Sequence, residues 1–359
     1  MLCIVGNGFS LGLIKHVHAD RIIFPTMDKI LPCPEWHQYL PGPGDCIVPQ
    51  RLWEAKSKLF PALAKEMKTN KTFIDLCKVL ALRDPQTVMH DPVKFSWKPE
   101  SRASYELRVY LWYYFKYVHA IMCLHWYADL INKWNGSCLL RYLSRVPHAV
   151  LACYNYDDLL EMMLETVVKN DYLVRVVHAK DAVLHDASTC LLILHPHGWI
   201  RHEGNLLGQS FGTSRCHWNN PSTFTECSVM FPDNGSPLDR TDVCINNWPV
   251  NCFPPPDLVP PGHGLDHRII KQSTVPEGMR LAASQSTQIV VWGFDGGGAD
   301  EAESVELIQS MNRDSKVYIV NTHSKSFFHR QCEASGLQCV FLDSQSKSLA
   351  SDFLDAFNQ

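Results

Sequence analysis

Short, unbroken apolar runs recur along the chain, at 2–5 (Leu-Cys-Ile-Val), 149–154, 172–177, 190–195, 288–293, 316–321 and 338–342. Continuous runs, in place of strict alternation, predict strands of a parallel sheet covered on both faces. Helical stretches separate several of them: 157–169, 299–312 and 325–335 each follow a predicted strand. Strand, helix, strand, helix is the rhythm of an α/β fold, here a Rossmann-like, doubly wound, mostly parallel sheet.

Two segments break that rhythm. Residues from about 26 to 145 are helix-like and aromatic-rich, notably at 52–68 and 101–134, and read as a helical insertion between the first two strands. Residues from about 201 to 265 hold most of the turn chemistry, including Asn-Cys-Phe-Pro-Pro-Pro-Asp at 251–257, and read as a loop-rich insertion. Both belong to one composite domain, 1–359. The apolar stretch 109–131 is interrupted by Lys116, His119, His125 and Asp129. Its unbroken length falls short of a bilayer span, so it is expected to form a deeply buried helix and not a membrane anchor.

Composition narrows the function classes. Apolar residues make up 46% of the chain and charged ones 19%, a globular balance. The net charge of −4 supplies no basic excess to drive nucleic-acid binding. The 14 cysteines are scattered with no Cys-x-x-Cys pair, and the apolar stretch 2–5 is too short to be expected to act as a secretory signal. The expectation is a reduced, cytoplasmic protein with buried thiols.

Candidate chemistry gathers where predicted strands end. After the first run comes Gly6-Asn7-Gly8-Phe9-Ser10. There Gly6 would permit a tight turn, Gly8 would admit a pyrophosphate, and a helix starting near Ser10 would point its positive end at the phosphates. Leu11 stands where a dehydrogenase fingerprint has its third glycine, and a simple bend fits the stretch equally well. After the second run, Asn155-Tyr156-Asp157 lies at a strand-to-helix junction. It reads either as a ligand contact or as a helix N-cap, with Glu161 as surface charge. His197-Gly198 follows the 190–195 run; a histidine there could move a proton near neutral pH, while His195 packs back into the fold. The glycine-rich turn from Gly293 to Asp300 leads into another predicted helix, and Asn321 closes the strand 316–321, where it could meet a ribose hydroxyl.

The order of these five features resembles the sirtuin-like NAD-consuming proteins of the silent-information-regulator-two superfamily, especially their bacterial antiviral-defence branch. Sirtuins use a Gly-Ala-Gly-x-Ser loop, a Thr-Gln-Asn-x-Asp segment and a His-Gly pair. The matching residues are Gly6–Ser10, Asn155-Tyr156-Asp157 and His197-Gly198. The defence branch's Gly-Asn-Gly-Phe-Ser and Asn-Tyr-Asp-x-x-x-Glu wording fits Gly6–Ser10 and Asn155–Glu161 more closely, and Pro260-Pro261 is similar to its Pro-Pro segment. Gly293-Phe294-Asp295 departs from the family's Gly-x-Ser, and Ala-Cys-Tyr precedes Asn155. The paired cysteines that hold zinc in deacylases are absent: Cys216, Cys227, Cys244 and Cys252 are not spaced as pairs, so no metal is expected.

The resemblance implies hydrolysis of NAD, as substrate, to nicotinamide and ADP-ribose. Gly6, Asn7, Gly8, Phe9, Ser10, Gly198, Gly293 and Asn321 would then contact the dinucleotide. Asp157 would face the nicotinamide amide, Asn155 would orient the ribose or a water, and His197 would be the general base. It also implies an antiphage effector gated by homo-oligomerisation, a protein partner or a phage-derived trigger. The competing readings are a non-catalytic NAD or ADP-ribose sensor and an NAD-dependent deacylase.

Overall fold

A computed structural model of the protein describes residues 1–17, 61–69, 125–167, 173–177, 190–203, 256–258 and 275–358, with isolated positions at 76, 79, 103, 107, 111, 115 and 122. The chain forms two compact units. Met1–Asp20, Leu124–Gly198 and His263–Gln359 make the first; Arg21–Cys123 and Trp199–Gly262 make the second. The greater part of both insertions therefore falls in one unit, while the segment from 124 to 145 goes with the first.

The described strands are β1 (Leu2–Val5), β2 (Val150–Cys153), β3 (Leu173–Val177), β4 (Cys190–Leu194), β5 (Gly198–Glu203), β6 (Pro256–Leu258), β7 (Gln288–Trp292), β8 (Lys316–Asn321) and β9 (Gln338–Asp343). The described helices are α1 (Asn7–His16), α2 (Pro61–Met67), α3 (Ala128–Asn132), α4 (Asn135–Leu143), α5 (Leu159–Val167), α6 (Val275–Gln285), α7 (Glu301–Ser310), α8 (Phe327–Ala334) and α9 (Leu349–Phe357). Seven strands form one sheet in the order β3-β4-β2-β1-β7-β8-β9, and every pairing is parallel. β5 pairs with β6 separately. The seven sheet strands coincide with the seven apolar runs, and the fold is α/β and Rossmann-like.

Register explains why those runs are unbroken. Leu2 lies level with Val150 and Ile289, and Cys3 with Leu151 and Val290. One face (Leu2, Ile4, Val150, Ala152, Ile289, Val291, Val317 and Ile319) packs with Met279 and Ala283 of α6, Leu307 and Ile308 of α7, and Phe328 of α8 in one buried cluster. On the other face Trp292 meets Phe9 of α1 and Trp134, while Tyr318 meets Phe353 and Phe357 of α9. Helices on both faces leave no polar side for the strands, so their sequence cannot alternate.

Some expectations need revision. α1 begins at Asn7, with Gly6 as its N-cap, not near Ser10. In the 109–131 stretch Leu111, Phe115 and Met122 are helical and buried, but 125–127 is not helical, Tyr127 is 63% exposed, and α3 restarts at Ala128. One continuous buried helix is therefore not what this stretch forms. α6 is not among the helices expected from the sequence. In place, Pro276 occupies the first turn, where its missing N–H is not needed, and Val275, Met279, Ala282 and Ala283 form the buried face.

Candidate functional site

Strand order decides where a ligand can sit. From β1 the chain fills the sheet on one side with β2, β4 and β3, and on the other with β7, β8 and β9. The order reverses between β1 and β7, and the carboxyl ends of the strands at such a switch point flank the usual crevice of open α/β sheets. The loops after β1 and β7 meet there. The Gly6 N–H donates to Trp292 O at 2.9 Å, and the Gly8 N–H to Gly293 O at 2.8 Å.

The glycines serve this docking. A Cβ on Gly8 would fall 2.7 Å from Gly293 Cα, and one on Gly6 would fall 2.7 Å from Phe294 Cα. Gly293 adopts φ +63°, and a Cβ there would lie 2.3 Å from Phe9 N. Their lack of side chains thus brings two loops together, where the sequence suggested room for a pyrophosphate. The Gly8 and Phe9 amides bond Gly293 O and Gly6 O. Phe9 is fully buried edge-on against the stacked Trp134 and Trp292, Ser10 is fully buried, and Asn7 is half-buried.

The loop after β2 is tied to the same place. Asn155 Nδ2 donates to Gly6 O at 3.1 Å and to Ser10 Oγ at 2.9 Å. Ser10 Oγ in turn donates to both Asp157 carboxylate oxygens, at 3.0 and 3.1 Å. Asp157 Oδ1 also accepts the Leu159 N–H at 3.1 Å, so Asp157 caps α5 while it holds Ser10. Both amide hydrogens of Asn155 have partners, which leaves its Oδ1 as the atom suited to a hydroxyl or a water. Burial raises the Asp157 carboxyl to about 7, against the opposing hydrogen bonds from Leu159 and Ser10 and with added repulsion from Asp158 and Glu161. Ser10→Ala removes one hydroxyl that serves two buried partners. It is expected to destabilise the protein by about 1–3 kcal/mol in urea unfolding; an unchanged midpoint would show that the network contributes nothing.

Two buried histidine–glutamate pairs flank the β4 end. His195 Nε2 lies 2.7 Å from Glu161 Oε1, with both side chains 3% exposed. Glu161 is therefore not surface charge: its neighbours Leu159, Leu160, Met162, Met163 and Leu164 are buried too, and an acid among them needs a partner. His195 is packed inward as expected. His197 Nε2 lies 2.9 Å from Glu303 Oε2, and the two are 3% and 1% exposed.

Tyr154 links His197 to the rest. Its ring meets His197 edge-on at 5.0 Å and Phe294 at 4.6 Å, and Phe294 abuts Gly6. The imidazole at 197 and the loop at 6–10 thus belong to one contiguous contact chain. Burial works against charge on His197, but the Glu303 carboxylate, its hydrogen bond and Asp300 outweigh it and raise the imidazole to about 9. Burial lifts Asp300 to about 6, although His197 lowers it. The imidazole at 197 thus sits among acidic side chains that favour its charged form. No protein-family model matches the chain, and no curated protein matches it in sequence.

The remaining candidates divide. Gly198 opens β5 beside His197. Asn321 ends β8 next to the Gly293 loop, which bonds Val320 O, but its Oδ1 accepts the Thr322 N–H at 2.8 Å and shapes the local turn. Among the described residues no group of three or more His, Cys, Asp or Glu side chains could hold a metal, and no helix is long and apolar enough to cross a membrane. Cys3, Cys153 and Cys332 are buried free thiols, with Cys3 pushed up to about 12 by burial. Cys216, Cys227, Cys244, Cys252, Pro260 and Pro261 lie outside the described residues.

Sequence reasoning missed Glu303, Asp300 and Tyr154. Glu303 is buried with Ser304, Leu307 and Ile308 on α7, although an acidic helix start reads from sequence as a solvated end.

Proposed function

We propose that the protein is a sirtuin-like NAD hydrolase that cleaves the nicotinamide–ribose bond to give nicotinamide and ADP-ribose. One observation carries the reading: the loops bearing Gly6–Ser10, Asn155–Asp157, His197 and Gly293–Asp300 adjoin one another at the switch point of a parallel sheet. Breaking this bond builds positive charge on the ribose, as in glycoside hydrolysis. In NAD the positive charge starts on the nicotinamide ring and moves to the ribose as the bond breaks, so acidic side chains at the ribose favour that shift. Asn155 Oδ1 would orient a ribose hydroxyl or the attacking water. His197, with Nε2 held by Glu303, would act through Nδ1. Asp157 supports the site by fixing Ser10 and the start of α5.

Purified protein is expected to release nicotinamide from NAD, with a requirement for phage lysate if activity is gated by a trigger. His197→Ala and Asn155→Ala should each lower the rate by about 100-fold or more. Turnover untouched by both substitutions would remove the site assignment.

A sensor is the second reading, and the protonated state of His197 favours it, because an imidazolium is not a base. Binding of NAD without turnover under every condition would select it. A deacylase would instead turn over acetyl-lysine peptide. Depletion of NAD in the cytoplasm as an antiphage response, restrained by self-assembly or a partner, completes the proposal. Gel filtration that shows a fully active monomer would contradict the restraint.

A further inference from the structure

Two of the described free thiols meet. Cys332 lies in the last turn of α8, fully buried in the core cluster, and Cys339 is the second residue of the edge strand β9, partly exposed and packed against that cluster. The turn through Gly336, closed by the Leu337 N–H to Cys332 O at 3.1 Å, brings the strand back beside the helix. There the Cys332 thiol donates a hydrogen bond to the Cys339 sulfur, whose own thiol reaches Leu337 O at 3.7 Å. The bond from Cys332 favours the Cys339 thiolate and lowers it below the ordinary thiol range, against burial and Glu333. The same bond, together with burial, raises Cys332. One thiol is thus within reach of solvent and gives up its proton more readily; the other keeps its proton and lies behind it.

We propose that Cys339 and Cys332 form a peroxide-reactive pair, in which Cys339 attacks the oxidant and Cys332 resolves the product as an intramolecular disulfide. The Cys339 thiolate attacks one oxygen of hydrogen peroxide. An S–O bond forms as the O–O bond breaks, and the leaving hydroxide takes up a proton to become water. The Cys332 sulfur then displaces the hydroxyl of the Cys339 sulfenic acid, and its own proton leaves with that hydroxyl as a second water. Two thiols lose two electrons in all, and one peroxide accepts them. Sulfurs already in hydrogen-bond contact have little distance left to close before the bonded length of about 2 Å. The pair stands apart from the dinucleotide reading and does not depend on it.

Trypsin isolates the pair, because cleavage after Arg330 and Lys347 yields one peptide, 331–347, that carries both thiols and no other. The full chain is treated with hydrogen peroxide, alkylated with iodoacetamide in denaturant, digested and weighed by mass spectrometry. The peptide is expected to lack both alkyl groups and to be two hydrogens lighter, and dithiothreitol before alkylation should restore two alkylated thiols. Chain unfolded in urea before the peroxide should form this disulfide at least about 10-fold more slowly. Cys339→Ser should leave Cys332 fully alkylated after the same treatment, while Cys332→Ala should leave a Cys339 sulfenic acid that dimedone labels. Wild-type peptide that keeps two alkyl groups overturns the proposal, as does either thiol bonded to another peptide or another chain. Oxidation of Cys332 in the Cys339→Ser protein overturns the assigned order, and equal rates in urea overturn the role of the folded geometry; both readings remain decisive if Cys332→Ala does not fold.

Discussion

Gly293→Ala is expected to destabilise the protein by at least about 3 kcal/mol, with a matching fall in its urea midpoint. Two effects add. A side chain at φ +63° pays the left-handed strain of about 1–2 kcal/mol. The new Cβ would also lie 2.3 Å from Phe9 N and 2.6 Å from Gly8 C, and these are backbone atoms that no rotamer change can move aside. Relief would require separating the loops after β1 and β7, breaking the Gly8-to-Gly293 hydrogen bond and disturbing Phe9 in its aromatic setting. Gly336 is the internal control. It has φ +77° and open space where a Cβ would stand, with no atom within 4 Å, at the C-terminus of α8 where the Leu337 N–H reaches back to Cys332 O. Gly336→Ala should therefore show the strain alone. Equal losses at the two glycines would refute the docking role of Gly293.

Removing one member of the His197–Glu303 pair should rank next in effect. Glu303→Leu and His197→Leu each leave a buried ionisable group without its partner, and losses of about 3–5 kcal/mol are expected. The double replacement should recover part of that loss, because it removes both charges together. A double variant as unstable as the sum of the single ones would refute the coupling. The pH dependence follows from the same pair. The folded imidazole titrates near 9 against about 6.5 in the unfolded chain, so the folded state binds the proton more tightly. Its stabilisation is fully present below about pH 6.5 and is lost as pH rises through about 9. Thermal midpoints of wild type should fall across that window, and those of Glu303→Leu should fall much less. A wild-type midpoint that rises between pH 6.5 and 9 would contradict the assignment.

The candidate site was legible to different depths. Gly6, Gly8, Asn155, Asp157, His197 and Gly293 could be picked out because each follows an apolar run, and strand ends are readable from the run itself. Their duties were not. Gly8 and Gly293 look like ligand-facing glycines in isolation, and only their mutual approach shows that they hold loops together. Ser10 resembles a phosphate contact, yet its hydroxyl points at Asp157, 147 positions away. Glu303 sits in an acidic helix start of the kind that usually faces solvent and complements the helix dipole. Its burial depends on which turn of α7 meets Tyr154, and nothing local encodes that.

The sequence by itself determined the α/β class and the seven sheet strands, because a strand covered on both faces must be apolar at every position. It also determined where polar chemistry would collect, since strands end where that apolar demand stops. Only the tertiary structure decided the strand order, the switch point between β1 and β7, and the pairing of His195 with Glu161 and His197 with Glu303. Those outcomes depend on contacts between residues 34 to more than 100 positions apart, and a buried charge takes its meaning from the partner that the fold brings to it.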